Sequence, residues 1–260
     1  MSKGKLRVER EGPVGRLVLD NPERRNAISA DMWRAIAPAM AGFNADASIR
    51  CIVIRGEGTQ AFAAGADISE FEKNRSSEGD VKEYEAAISG AHHAIESSPK
   101  PVIALIHGFC VGGGLAVALS CDLRYADSSS RFAIPAARLG LGYGVHGTGR
   151  LVATVGHAAA REIMFSALRY DADEALAMGL VNRVLPDAEL DDYVRKVALE
   201  LAANAPMTIA ASKTVINALV EPKGDFSDAE AEVMRCMKSE DYVEGRRAFM
   251  EKRTPDFKGK

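Results

Sequence analysis

The chain has 260 residues, 47% of them hydrophobic and 27% charged, which excludes a disordered chain. A chain of this length buries about 70–75% of its unfolded surface and needs no disulfide or metal staple. With 33 basic and 36 acidic side chains, a net charge of -3 and only 6% aromatic residues, it lacks the basic footprint of a nucleic-acid binder.

Two β-rich runs open the chain, residues 5–10 and 14–19, with Gly12-Pro13 between them. Residues 1–5 are charged with no apolar run behind them, so no signal peptide is expected and the cytoplasm is the expected compartment. Ser29-Ala30-Asp31 caps a helix predicted to reach about residue 45. Cys51-Ile52-Val53-Ile54 is short and wholly apolar, as in a strand buried on both faces. Residues 80–97 read as a helix ended by Pro99 and Pro101, and 102–106 as a second buried strand. A glycine turn then opens a helix over 112–120, and a strand follows at 122–126.

Residues 102–119 carry no Asp, Glu, Lys or Arg, and they just reach the length of a membrane span, ~18–20 residues. Gly112-Gly113-Gly114 argues against a span, because mid-helix glycine costs about 1 kcal/mol each. After Gly156 helices are expected at 157–166, 172–178, 187–204, 206–219, 225–238 and 241–252, with a short strand at 181–185. The β/α alternation predicts parallel strands, and no internal repeat is visible. The last helices are modestly amphipathic and are expected to pack against a partner surface. Cys51, Cys110, Cys121 and Cys236 form no CxxC pair and read as small buried hydrophobes, so neither a disulfide framework nor a metal site is expected.

Gly142-Tyr143-Gly144-Val145-His146-Gly147 fits GxGxxG. A dinucleotide site needs a strand just before it, and 135–139 makes a poor one, so the expectation is a loop with close backbone approach. Two other segments stand out. Residues 61–67 and 107–114 each follow a buried strand, and each is a run of small residues leading into a helical start. Small side chains let a ligand reach backbone N–H groups, and a helix N-terminus adds unpaired donors. Two such loops at one sheet edge either aim two amides at a single oxygen, stabilising an enolate or tetrahedral anion, or are simply tight turns.

These segments resemble the crotonase (enoyl-CoA hydratase/isomerase) superfamily. The likeness includes Asn21-Pro22-Glu23-Arg24-Arg25-Asn26-Ala27, residues 62–68, residues 100–108, Gly112-Gly113-Gly114, residues 121–126, residues 175–182 and residues 244–253, nearly end to end. The resemblance implies an α/β fold, a ββα superhelix with a C-terminal helical trimerisation region. It divides the chain into a core, 1–200, holding the ligand site, and a region, 201–260, for oligomer contacts and a lid. It implies an acyl-CoA thioester as ligand, with coenzyme A entering as part of the substrate and no separate cofactor or metal. A homotrimer or a dimer of trimers is implied, with neither nucleic acid nor membrane as partner.

By the same resemblance, Ala66 and Gly113 supply the amides that hold the thioester oxygen. Arg25 lies near the coenzyme phosphates, and Phe249 and Lys252 approach the coenzyme from the tail. Ala27, Ala64, Asp67, Ile68, Gly112, Ala116, Ala136 and Leu141 fall at substrate-binding positions. The family's hydratases carry glutamates where this chain has Ala116 and Ala136. Positioned acids and bases contribute about 10²–10⁴-fold each, so two-carboxylate hydration is not expected. Glu162 and Glu174 fall on later helices, where a solvated face is the expectation.

Near the later loop, Tyr143 matches a tyrosine of the methylmalonyl-CoA decarboxylase branch, although that branch has His where Ala66 stands. Tyr143 is either a carboxylate-orienting, proton-relaying group or a packed ring. His146 is either a proton carrier or part of the next helix start. Arg138 is either a carboxylate partner or an exposed cation, and His92 and His93, on the predicted helix before Pro99, are candidates to face the cavity. The readings left open are a lyase or isomerase of the hydratase/isomerase type acting through a thioester enolate, with a hydratase using another acid or base included, a malonyl-type acyl-CoA decarboxylase using Tyr143, another chemistry such as thioester hydrolysis, and a thioester-binding trimer without turnover.

Overall fold

In the computed structural model the described residues are 4–67, 78–139, 141–220, 228, 231, 234–235 and 238–260, with the side chains of Glu78, His146, Arg246, Phe249 and Met250 set aside. The chain runs through β1 (Lys5–Glu11), β2 (Val14–Asp20), α1 (Ala30–Ala45), β3 (Cys51–Gly56), β4 (Ala61–Ala63), α2 (Glu78–Glu96), β5 (Val102–Ile106), β6 (Phe109–Val111) and α3 (Gly113–Ser120). It continues through β7 (Leu123–Asp127), β8 (Arg131–Ala133), α4 (Val145–Ser166), α5 (Ala172–Ala177), β9 (Arg183–Leu185), α6 (Asp187–Ala203), α7 (Pro206–Val220) and α8 (Glu240–Glu251).

Six strands form one sheet in the order β1-β2-β3-β5-β7-β9. β1 and β2 make an antiparallel hairpin, and every later pairing in this sheet is parallel. Side-chain alternation feeds both faces. Ile52, Ile54, Val102, Ala104 and Ile106 enter the larger core with Met32, Trp33, Ile36 and Met40 of α1. Cys51, Val53, Ile103 and Leu105 enter a second core closed by Leu190, Val194 and Ala198 of α6. This is why β3 and β5 are apolar at nearly every position.

A second, three-stranded parallel sheet has the order β4-β6-β8. Three times the chain places one strand in the large sheet, the next in the small sheet, and then a helix: β3-β4-α2, β5-β6-α3 and β7-β8-α4. This is the ββα superhelix, and the fold class is α/β as expected. The repeat lies in the backbone path, with helices of 19, 8 and 22 residues, so the sequence carries no period to reveal it.

Two expectations need correction. Helix α4 starts at Val145 rather than 157 and is broken at Gly156, whose φ of 74° and ψ of 167° are non-helical. The glycine read as a helix start is a kink inside one. β4, β6 and β8 were not expected, because three residues are too few to display a strand period. The helix expected over 225–238 lies largely outside the described residues, as does Cys236. Among the described residues no helix is long and apolar enough to cross a membrane, and 102–119 folds as β5, β6 and most of α3.

Candidate active site

Two chain reversals build the site. Beyond β4, the Ala64 N–H donates to the Arg25 carbonyl (2.9 Å). Ile28 then brackets Ala66. The Ile28 N–H donates to the Gly65 carbonyl (2.8 Å), and the Asp67 N–H donates to the Ile28 carbonyl (2.9 Å). Extended backbone alternates, so the Ala66 N–H points away from Ile28. Beyond β6, Gly112 adopts φ 53° and ψ -117°, which only glycine holds without strain, and its N–H donates to the Ala133 carbonyl (2.8 Å). The chain turns there into α3, whose first residue is Gly113.

The two reversals press against each other. A Cβ on Gly113 would stand 3.3 Å from the Ala66 nitrogen, and one on Gly65 would stand 3.9 Å from the Gly113 nitrogen. A Cβ on Gly114 would come 2.3 Å from the Ala63 carbonyl oxygen. Side chains here would force the loops apart. Among the described residues no protein acceptor takes the Ala66 or Gly113 N–H. The first N–H groups of a helix are unpaired by geometry and carry partial positive charge. Helix α3 is buried from Gly114 to Ser120, so that charge is poorly screened.

A buried asparagine fixes the entry to this site. Asn26 is 1% exposed and accepts the Asn21 N–H on Oδ1 (3.1 Å). Its Nδ2 donates to the carbonyls of Ala61 (2.6 Å) and Glu57 (3.0 Å). Arg25 and Asn26 both hold left-handed φ, 51° and 56°. Within the 21–27 motif nothing in the sequence gives Asn26 a role of its own. The available signal was its residue type, since Asn tolerates the left-handed region.

The expected substrate-binding residues separate by environment. Arg25 is exposed, with its guanidinium 4.7 Å from the Phe109 ring centroid. Asp67 is buried and bonded to Arg24 (2.7 Å), so it braces the loop. Ala27, Ala116 and Ala136 are buried, Ala64 and Gly112 half-buried, and Leu141 exposed with its N–H on the Ala136 carbonyl (3.0 Å). Lys252 is exposed just past α8, with φ 53°. Phe249 belongs to α8, its side chain outside the described set, and Ile68 lies outside the described residues. Glu162, Glu174, Arg138 and His93 are exposed, and Glu174 closes a capping box with Asp171.

Tyr143 packs against the larger core. A Cβ on Gly147 would lie 2.7 Å from its Cε1, so the glycine of the GxGxxG match makes room for the ring. Burial, with the Cys110 thiol nearby, pushes the Tyr143 phenol up to about 12. It is a neutral donor across the physiological range. Residue His146 lies in the first turn of α4, its side chain outside the described set. His92 Nδ1 lies 2.8 Å from Ser120 Oγ, which donates to the Ala116 carbonyl (3.0 Å) one turn back on α3. The His92 ring tilts at 54° against Trp33, centroids 5.4 Å apart.

Burial pushes the Cys51 and Cys121 thiols up to about 12 and the Cys110 thiol up as well, so none of the three is a ready nucleophile. Ligand atoms of His107, Asp127 and Asp187 lie within 4.8 Å of one another. Both nitrogens of His107 are engaged there, Nδ1 by Asp127 (2.8 Å) and Asp187 (2.9 Å), Nε2 by Asp191 (2.6 Å). With its pKa raised to about 9, the imidazolium itself is the cation of this cluster.

The sequence profile of the Enoyl-CoA hydratase/isomerase family matches residues 9–260. The chain is 35% identical to the short-chain-enoyl-CoA hydratase of Clostridium acetobutylicum over 248 residues, 95% of this chain and 94% of that protein. It is 34% identical to the carnitinyl-CoA dehydratase of Salmonella paratyphi A over 263 residues, 98% of each. The crystal structure of an enoyl-CoA hydratase/carnithine racemase from Magnetospirillum magneticum superposes with a TM-score of 0.94 at 37% identity, covering 100% of this chain and 97% of that one. The fold and the end-to-end sequence match agree: this chain is a member of the enoyl-CoA hydratase/isomerase family.

Proposed function

We propose that this acyl-CoA enzyme holds the thioester oxygen of its substrate between the Ala66 and Gly113 amides and reacts through an enolate. The supporting observation is the press of the two reversals, with a Gly113 Cβ position 3.3 Å from the Ala66 nitrogen. As charge moves onto the oxygen, two fixed donors, one of them at the N-terminus of a buried helix, strengthen their grip, which lowers the barrier more than it stabilises the ground state. Arg25, Phe249 and Lys252 are assigned to the coenzyme, and Ala116 and Ala136 to an apolar wall. Neither alanine is an acid or base, so water addition by a carboxylate pair is not part of the proposal.

Gly113→Pro tests it. Proline suits the first position of a helix while deleting the N–H, and Gly113→Ala, which adds the same Cβ but keeps the N–H, separates the lost donor from crowding against Ala66 and Trp33. Across a panel of acyl-CoA substrates, turnover is expected to fall about 10²–10³-fold with the circular dichroism spectrum retained. Undiminished turnover would reject the amide pair. Binding without turnover of any thioester would leave the non-catalytic trimer.

A second reading is favoured by Tyr143, a neutral phenol whose hydroxyl has no protein partner among the described residues. In a malonyl-type thioester, the bond from the α carbon to its carboxylate breaks and its electron pair enters the thioester as an enolate. Carbon dioxide leaves, and a proton returns to the α carbon, relayed by Tyr143. Release of CO₂ from methylmalonyl-CoA, diminished in Tyr143→Phe, is the expected outcome. Equal release from both proteins would remove Tyr143 from the reaction.

A further inference from the structure

We infer that the indole N–H of Trp33 reads the acyl group, donating a hydrogen bond to an oxygen that the acyl chain carries beyond its thioester carbonyl. The inference rests on the reading of Ala66 and Gly113 as the thioester-oxygen site, and it adds the class of acyl chain: one bearing a hydroxyl, keto or carboxylate oxygen.

Trp33 sits in α1 at 1% exposure, and its Nε1 is buried with no hydrogen-bond partner among the described residues. Buried indole N–H groups normally find an acceptor, so an orphan is a feature to explain. Its position suggests the explanation. Trp33 Cζ2 stands 3.3 Å from the Cβ position of Gly113, the same point that stands 3.3 Å from the Ala66 nitrogen. Cζ2 and Nε1 are bonded to one ring carbon, so the edge of the indole beside the amide pair is the edge that carries the N–H.

The flanking groups do not serve it. His92 tilts against the indole face and places Nδ1 on Ser120, and Ser120 gives its proton to the Ala116 carbonyl. The Ala116 side chain ends in a methyl group. A donor set beside methyl walls favours a ligand that brings its own acceptor, because an unadorned alkyl chain leaves the donor unpaired.

Trp33 is the chain's only tryptophan, so intrinsic fluorescence reports on this position alone. The experiment titrates the full-length protein with butyryl-CoA, 3-hydroxybutyryl-CoA and malonyl-CoA, following tryptophan emission and, by calorimetry, affinity. At least one oxygen-bearing thioester is expected to bind about tenfold more tightly than butyryl-CoA and to shift the emission, the fold-change of one well-placed hydrogen bond. In Trp33→Phe, which keeps an aromatic ring and removes the N–H, that preference is expected to fall to about one while butyryl-CoA affinity stays within about twofold.

Equal binding of plain and oxygen-bearing thioesters by the wild type, or a preference that survives in Trp33→Phe, overturns the inference and leaves the amide-pair reading intact. Failure of the wild type to bind any of the three thioesters overturns both. Should Trp33→Phe not fold, the wild-type titration decides: no preference, or emission unmoved by the oxygen-bearing ligands, overturns the inference.

Discussion

Burial alone would strip His107 of its proton, because desolvation disfavours the charged ring. Hydrogen bonds and charge from Asp127 and Asp191 reverse that and hold the pKa at about 9 against an ordinary 6.5. A group raised in this way stabilises the fold while protonated. Its contribution is complete below about pH 6.5 and is lost as pH climbs through about 9. The shift corresponds to roughly 3 kcal/mol, reduced to about 2 kcal/mol because Asp187 and Asp191 are partly exposed. His107→Gln is expected to lose about that much stability at pH 6 by urea denaturation, with the gap to wild type closing by pH 10. A gap independent of pH would place the loss in packing instead.

At the same scale, Gly114 is a steric requirement. A Cβ there would meet the Ala63 carbonyl oxygen at 2.3 Å, and that oxygen belongs to the backbone leading into the Ala66 reversal. Gly114→Ala is expected to cost about 1–3 kcal/mol in thermal or urea unfolding and to lower turnover by separating the two amides. The close approach of the two reversals was legible in the sequence, because small residues following apolar strands announce it, while Ala66 and Gly113 themselves were singled out by the family resemblance. Asn26 and Trp33 were not. Asn26 acts through one local bond, from the Asn21 N–H, and two long-range ones, to the Glu57 and Ala61 carbonyls, that no local pattern encodes. Trp33 sits in the buried stripe of α1 with Met32, Ile36 and Met40, where an indole reads as ordinary core.

Elements were legible in proportion to their length and burial. β3 and β5 are apolar on both faces and announced themselves, and Ser29 marked the start of α1, where its side chain accepts the Met32 N–H. β4, β6 and β8 owe their existence to neighbours in the small sheet rather than to a pattern of their own. Helix α4 shows how a single residue misleads. Gly156 has φ 74° with nothing within 4 Å of its Cβ position, so its role is conformational, not steric. Gly149, in the same helix, also has open space around its Cβ position but no left-handed φ. Gly156→Ala is expected to destabilise by about 1–2 kcal/mol through the left-handed backbone alone. Gly149→Ala is expected to stabilise by about 0.5–1 kcal/mol, since a helical glycine is replaced without strain. Paired melting curves check both, and a common sign for the two would refute the distinction.

At the scale of the whole molecule, polar contacts tie described residues of the C-terminal region to the core. Lys213 of α7 reaches Asp122 (2.9 Å), and Arg50 reaches the Phe257 carbonyl (3.4 Å). The same helix leaves Ile216, Leu219 and Val220 between 53% and 64% exposed. An exposed apolar stripe on a helix is stabilised by burial against another surface, and copies of the chain supply one if the protein is the proposed trimer. Burying a leucine is worth about 1.5–3 kcal/mol, and a charge placed there instead must be desolvated. Leu219→Glu is therefore expected to weaken assembly. Sedimentation velocity at micromolar concentration should shift from a species near three times 27.8 kDa toward the single chain. Because Phe249 and Lys252 are assigned to the coenzyme from the same C-terminal region, acyl-CoA affinity is expected to fall together with assembly. Dissociation with unchanged affinity would separate the oligomer from the site, and a wild type that sediments as a single chain would remove the trimer altogether.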